Sequence, residues 1–233
     1  EGVLAVRIPV LRLLMAVTCI VACSSSSGTG TGQNQAQVTY TFTVIDAPAS
    51  GFPDVIATDA TGINNSGQIV GTSGYSNGFL YGGGTITPID VPGVPSSTAP
   101  SGINNFGQIV GWYLDTTTQS PHPFHGFLES GGNFPNPPID HPDLINTPFP
   151  FTVANGINDS GQIVGYYTDP AAMANVGFLY SANTFTTISV PGAAYTQAQG
   201  INNSGQIVGT YFLGTGPHGY LYTANTFTTI DFP

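Results

Sequence analysis

Apolar positions along the chain fall in short runs, each cut off by Gly, Pro, Asn, Ser or Thr, and no 3.6-residue period is sustained. Gln68-Ile69-Val70-Gly71, Gly78-Phe79-Leu80-Tyr81 and Thr85-Ile86-Thr87-Pro88-Ile89 are representative. Runs of this length between turn residues predict β-strands. They also recur in a fixed order. The decamer GINNSGQIVG starts at Gly62 and returns, slightly altered, at Gly102, Gly156 and Gly200, spacings of 40, 54 and 44 residues. After each comes a Gly-aromatic-Leu block, at Gly78, Gly126, Gly177 and Gly219. A third block closes each unit: TITPIDVPG from Thr85, PNPPIDHPD from Pro135, TFTTISVPG from Thr184 and TFTTIDFP from Thr226.

Each repeat therefore predicts four strands: one ending at Gly-Ile-Asn, one from Gln-Ile-Val-Gly, one on the Gly-aromatic-Leu block and one on the Ile-Asp block. A tight turn joins the first two and a GGG or SAN turn the last two, whereas a longer Pro/Ala/Gly/Ser link leads to the next repeat. That pattern predicts antiparallel meanders arranged as propeller blades. Pro88, Pro135, Pro137 and Pro138 lie in or beside the fourth strand, which should be a sheet edge because proline lacks the ladder donor. The first strand is then innermost. The expected fold is all-β: a β-propeller-like array of four four-stranded antiparallel blades over residues 38–233. One count does not close, because VTYTFTVIDAP (38–48) is a fourth-strand block ahead of the first full repeat, while the last repeat carries its own. Either this strand packs outside a blade or the chain is a section of a larger ring, and the stop at Pro233, where other repeats continue to Gly, favours the section.

The decamer itself has the form of a type I turn closed by a G1 bulge. Asn64 caps the turn and Gly67 takes a positive φ. Asn104 with Gly107, Asn158 with Gly161, and Asn202 with Gly205 repeat the device, and Phe106 in the place of Ser66 shows one turn position free to vary. Ile69-Val70 and their copies give each blade apolar surface on both faces. The stretch reads as a joint rather than a binding loop.

Composition narrows the function. With 31 Gly, 19 Pro, 6% charged and 40% hydrophobic residues, the chain is turn-rich yet has material for a core. Its only basic residues are Arg7 and Arg12, and from Cys23 onward ten aspartates and Glu129 give a formal charge of −11. A surface without cations cannot neutralise phosphates, which argues against nucleic acid and against electrostatic binding to anionic lipid.

The arginines belong to a leader, residues 1–23. An uncharged apolar run from Leu13 to Ala22 is too short to cross a bilayer but suits a signal peptide. It ends in Ile20-Val21-Ala22-Cys23, which resembles the bacterial lipobox and implies lipidation of Cys23; the polar stretch 24–37 would be a flexible tether. A plain secretory signal and a membrane helix over 3–22 are the competing readings of the same residues. The expected location is the bacterial cell surface or outer membrane through a lipid anchor, or the medium. Cys19 and Cys23 are the only cysteines, so the folded region has no disulfide.

The recurrent Gly-Ile-Asn-[Asn/Asp]-x-Gly-Gln-Ile-Val-Gly, followed by His125-Gly126-Phe127-Leu128 or His218-Gly219-Tyr220-Leu221, resembles the bacterial extracellular HAF repeat, named for a His-Ala-Phe motif at this block. The resemblance covers most of residues 38–233. It departs at Asn77 and Val176, which replace the His, and at the Gly in the Ala position. It implies an exported tandem-repeat protein with no established activity; separately, no cofactor is expected.

No nucleophile elbow, phosphate loop, His-Glu-x-x-His or catalytic cysteine is present in the folded part. His122, His125 and His141, with Asp140 and Asp143, form a weak candidate metal cluster matching no known ligand spacing. Calcium is disfavoured because, among the decamers, only Asp159 supplies a carboxylate. Trp112, Tyr113 and Asp115, then Tyr166, Tyr167 and Asp169, with Tyr211 in the last repeat, place aromatic rings beside acidic acceptors. A neutral sugar needs such stacking faces and hydrogen-bond partners, although packing between blades would use the same rings. The expectation is an exported, tethered, non-enzymatic module binding a neutral glycan or other surface ligand. The alternatives are a structural or adhesive protein with protein partners, and a glycan hydrolase or lyase using Asp115 or Asp169, which would need two carboxylates facing one cleft.

Overall fold

The computed structural model describes residues 43–45, 58–74, 77–94, 97–117, 123–135, 138–144, 147 and 150–231. The leader with Cys23, the stretch 24–37, His122 and most of the block 38–48 lie outside the described residues. The chain divides into two compact units, Glu1–Ile45 and Asp46–Pro233. In the first, the three described residues have no regular structure. Among the described residues no helix is long and apolar enough to cross a membrane.

Among its described residues the second unit holds fifteen strands in four antiparallel sheets, each a meander in chain order. Blade 1 comprises β1 (Thr58–Ile63), β2 (Ile69–Ser73), β3 (Asn77–Gly82) and β4 (Thr85–Ile89). Blade 2 comprises β5 (Thr98–Ile103), β6 (Ile109–Leu114) and β7 (Phe124–Glu129). Blade 3 comprises β8 (Thr152–Ile157), β9 (Ile163–Asp169), β10 (Ala174–Ser181) and β11 (Thr184–Ile188). Blade 4 comprises β12 (Tyr195–Ile201), β13 (Ile207–Leu213), β14 (Gly216–Thr223) and β15 (Thr226–Ile230). The result is a propeller-like array of blades. The first strands are the inner ones: β1, β5, β8 and β12 succeed one another from blade to blade.

Among the described residues blade 2 shows three strands and, in place of the fourth, one bridge, Ile139 against Gly126, whose amide and carbonyl bond at 2.9 Å. Pro135 and Pro137 stand in the sequence where β4 has Thr85 and Thr87, residues that keep a ladder donor, whereas Pro138 takes the place of Pro88, which β4 accommodates. A single 3-10 turn, Pro142–Leu144, follows.

Strand alternation explains how the blades adhere. On β2 and its copies, successive residues point to opposite faces, so Ile69 looks back along the array and Val70 looks forward. Each core is consequently shared by two blades. Val70 and Ile89 of blade 1 pack with Ile103, Ile109 and Phe127 of blade 2. Val110 and Ile139 of blade 2 pack with Ala154, Ile157, Ile163, Tyr167 and Phe178 of blade 3, and Val164 and Ile188 of blade 3 with Ala198, Ile207, Tyr211 and Tyr220 of blade 4. Each fully buried Val or Ile contributes about 1.5–3 kcal/mol, so three such joints can hold a fold with no disulfide. Glycine permits the close approach of inner strands: a Cβ on Gly102 would lie 3.1 Å from Asn155 O and 3.3 Å from the Gly156 Cα.

Candidate functional site

At the inner end of every blade the decamer makes the same turn. Gly67 donates its N–H to Asn64 O at 3.0 Å and stands at φ +74°, a region that Gly enters without penalty. The Asn64 side chain organises the rest. Its Oδ1 accepts from the N–H of Ser66 (3.1 Å) and of Gln68 (3.0 Å), and its Nδ2 donates to Gln68 Oε1 at 2.8 Å. Asn104, Asn158 and Asn202 repeat these contacts.

The same side chains also link blades. Asn64 Nδ2 donates to Asn104 O, Asn104 Nδ2 to Asn158 O and Asn158 Nδ2 to Asn202 O, each at 3.1 Å. A second row runs beside this one. The N–H of Asn65 donates to Asn105 Oδ1, that of Asn105 to Asp159 Oδ1 and that of Asp159 to Asn203 Oδ1, each at 2.9 Å. Asp159 Oδ2 further accepts from the side-chain amides of Asn105 (2.8 Å) and Asn203 (2.7 Å). The Asn105 backbone N–H, then its side-chain amide, and then that of Asn203 hold the Asp159 carboxyl below the usual carboxylate range, with desolvation opposing them. The sequence reading saw the turn but not these rungs, which require knowing that consecutive turns are neighbours in space.

Together the turns line one depression of about 270 Å³, bounded by Ile63, Ile103, Ile157 and Ile201 and by the paired Asn/Asp residues of all four copies. Its polar groups are amides and one carboxylate, Asp159. Such a surface offers many neutral donors and acceptors and no cation.

The aromatic candidates divide between two faces. Tyr167 and Tyr211 are buried in the joints before blades 3 and 4, and half-buried Tyr113 packs in the joint before blade 2. Burial, then the charges of Asp140 and Asp115, push the Tyr113 phenol up to about 12. Trp112 and Tyr166 point the other way. Trp112 meets Phe124 at 5.3 Å, Phe124 meets Phe151 at 4.9 Å and Phe151 meets Tyr166 at 6.0 Å between ring centroids. This half-buried aromatic row runs along blades 2 and 3. The acidic partners are occupied locally: Asp115 Oδ1 accepts from the Thr117 N–H and hydroxyl, and Asp169 Oδ1 from the N–H of Ala171 and Ala172.

The histidine-rich segment separates into two contacts. His125 Nδ1 lies 2.7 Å from Asp140 Oδ2 and tethers β7 to the shortened fourth edge, while Asp140 Oδ1 is buried without a partner. His218 and Asp231 form the matching pair in blade 4 at 3.0 Å. His141 instead turns into the joint between blades 2 and 3. Its ring stacks on Tyr167 at 3.7 Å and 3° and meets Phe185 edge-on at 5.0 Å. Burial lowers its pKa, outweighing the nearby Asp143 and Asp169, and a neutral ring agrees with Nδ1 accepting the Asp143 N–H at 3.3 Å. Among the described residues no three His, Cys, Asp or Glu side chains are grouped to hold a metal.

A slot of about 220 Å³ between blades 1 and 2, lined by Val91, Tyr113, Phe127, Phe134 and prolines 92, 135 and 138, is the more apolar of the two hollows. His141 and Pro142 occupy the corresponding places of Val91 and Pro92 one joint further on. No protein-family model matches the chain, and no curated protein matches it either.

Proposed function

We propose that the chain is an exported, lipid-tethered HAF-type repeat protein that acts as a non-enzymatic binding module for a neutral, hydroxyl-rich surface ligand, a glycan. Although the decamer reads in sequence as a joint rather than a binding loop, the observation that carries this proposal is the depression in which four decamers place amide groups around one shallow cup. Sugar hydroxyls each donate and accept, and a row of amides with one hydrogen-bonded carboxylate answers them without demanding charge. The formal −11 of the region from Cys23 onward fits the same ligand class, since an acidic polysaccharide would be repelled.

The test is a panel of neutral and acidic oligosaccharides presented to the full chain, beside Asn105→Ala and Asp159→Ala. Neutral sugars should bind, acidic ones should not, and each substitution should weaken binding at least tenfold. Binding that is insensitive to both substitutions but lost in Trp112→Ala would move the site to the aromatic row, and absence of any signal would overturn the reading.

A further inference from the structure

The joint between blades is made three times inside the chain, and each end of the array keeps one half of a fourth. On the last blade, Val208 is 46% exposed, whereas Val70, Val110 and Val164 at the same position are 0% exposed. Ile230 is 55% exposed against 6%, 6% and 1% for Ile89, Ile139 and Ile188. The first blade shows the opposite half. Ile63 is 68% exposed where Ile103 and Ile157 are each 8% exposed, Ala60 is exposed where Ala154 and Ala198 are buried, and Ile69 is only half-buried. Further out on that face Ser73 and Phe79 are already buried, so the open part is the strip next to the turns.

The polar groups are divided in the same way. Asn64, Asn104 and Asn158 each donate Nδ2 to the next blade's Asn carbonyl, and Asn202 has no such rung among the described residues. The backbone N–H of Asn65, Asn105 and Asp159 each find the next side-chain oxygen, and that of Asn203 finds none among the described residues. Blade 1 presents the complementary acceptors, Asn64 O and Asn65 Oδ1, which receive no such rung among the described residues. Thr61 Oγ1 reaches Pro100 O and Asn155 Nδ2 reaches Ala198 O, both at 2.8 Å, while the equivalent Gln199 falls back on its own Thr210 at 3.5 Å.

We infer that the last blade of one copy docks on the first blade of a second copy, re-forming the internal joint between molecules. Val208 enters the strip of Ala60, Ile63 and Ile69, Asn202 Nδ2 donates to Asn64 O, and the Asn203 N–H donates to Asn65 Oδ1. The interface is heterologous, because the two faces are different halves of one joint; it closes into a ring or continues as a row of copies according to its rotation. It stands independently of the ligand proposed above.

The test uses the full chain in a non-ionic detergent, with protein mass followed by sedimentation against concentration. The monomer is 24.1 kDa. Val208→Glu and Ile63→Glu lie at exposed positions, and circular dichroism should show both folded. The parent should associate, and each substitution should weaken association at least tenfold. A one-to-one mixture of the two variants keeps one intact face of each kind and should pair as a dimer that goes no further. A parent that stays monomeric at all concentrations overturns the inference. So does association indifferent to both substitutions, as a leader-driven contact would be, or association lost in one variant only, which would mark a contact between like faces.

Discussion

A single asparagine per repeat does most of the local work. Asn104 is buried, with its side chain accepting two backbone N–H groups, steadying Gln108 and reaching into blade 3. Asn202 makes the same contacts within its turn but no rung beyond it. Replacing Asn104 by Ala should cost about 2–4 kcal/mol, because two amides and a buried carbonyl lose partners. Asn202→Ala should cost about 1 kcal/mol less, the net value of one hydrogen bond. Urea unfolding of the two variants checks this, and equal losses would mean that the inter-blade rung carries no stability. The turn was legible in the sequence because Asn-x-x-Gly before an apolar pair has one low-strain solution. The rung was not, since nothing in ten residues says which other turn stands next to them.

At the level of the blade, strand order was legible from connection length, and the inner and outer edges from where proline falls. Blade 2 shows the limit of that reading: Pro135 and Pro137 replace the donors that β4 keeps at Thr85 and Thr87, and among the described residues one bridge, Ile139 to Gly126, stands for the fourth strand. Adjacent aromatics were legible as a class but not by role. Tyr113 and Tyr167 share the face of Ile109 and Ile163 and pack into joints, whereas Trp112 and Tyr166 take the opposite face. Two-residue alternation counted from the Ile of each second strand carries that signal. His141, placed in the joint by the link after the shortened edge, gives blade 2 a pH dependence. Its folded pKa is lowered below 6.5, so the unfolded chain binds the proton more readily. Its contribution is therefore complete above about pH 6.5 and declines as pH falls below that value. Glu129, raised above 4.5 chiefly by burial and partly relieved by the Gly132 N–H, acts in the opposite sense as pH rises through its folded pKa. His141→Phe keeps a ring against Tyr167 and removes the titration. Melting temperatures of variant and parent should converge above pH 7, and the variant should lose less between pH 6.5 and 5. Parallel curves would place the titrating group elsewhere.

Across the whole molecule, one joint sets both architecture and surface. Repeating it brings the Asn/Asp turns into two parallel hydrogen-bonded rows, and those rows line the depression proposed above as the site of a neutral ligand. Charge is consistent with that proposal: the sequence has no Lys or Arg from Cys23 onward, and the single carboxylate of the depression already accepts from its neighbours. The most direct measurement is chemical-shift mapping on the isotopically labelled full chain, titrated with the neutral oligosaccharide that binds best in the panel. The account predicts shifts at the amides of Asn65, Asn105, Asp159 and Asn203, with Trp112 and Tyr166 unmoved. Shifts confined to the aromatic row, or none at saturating sugar, would contradict it.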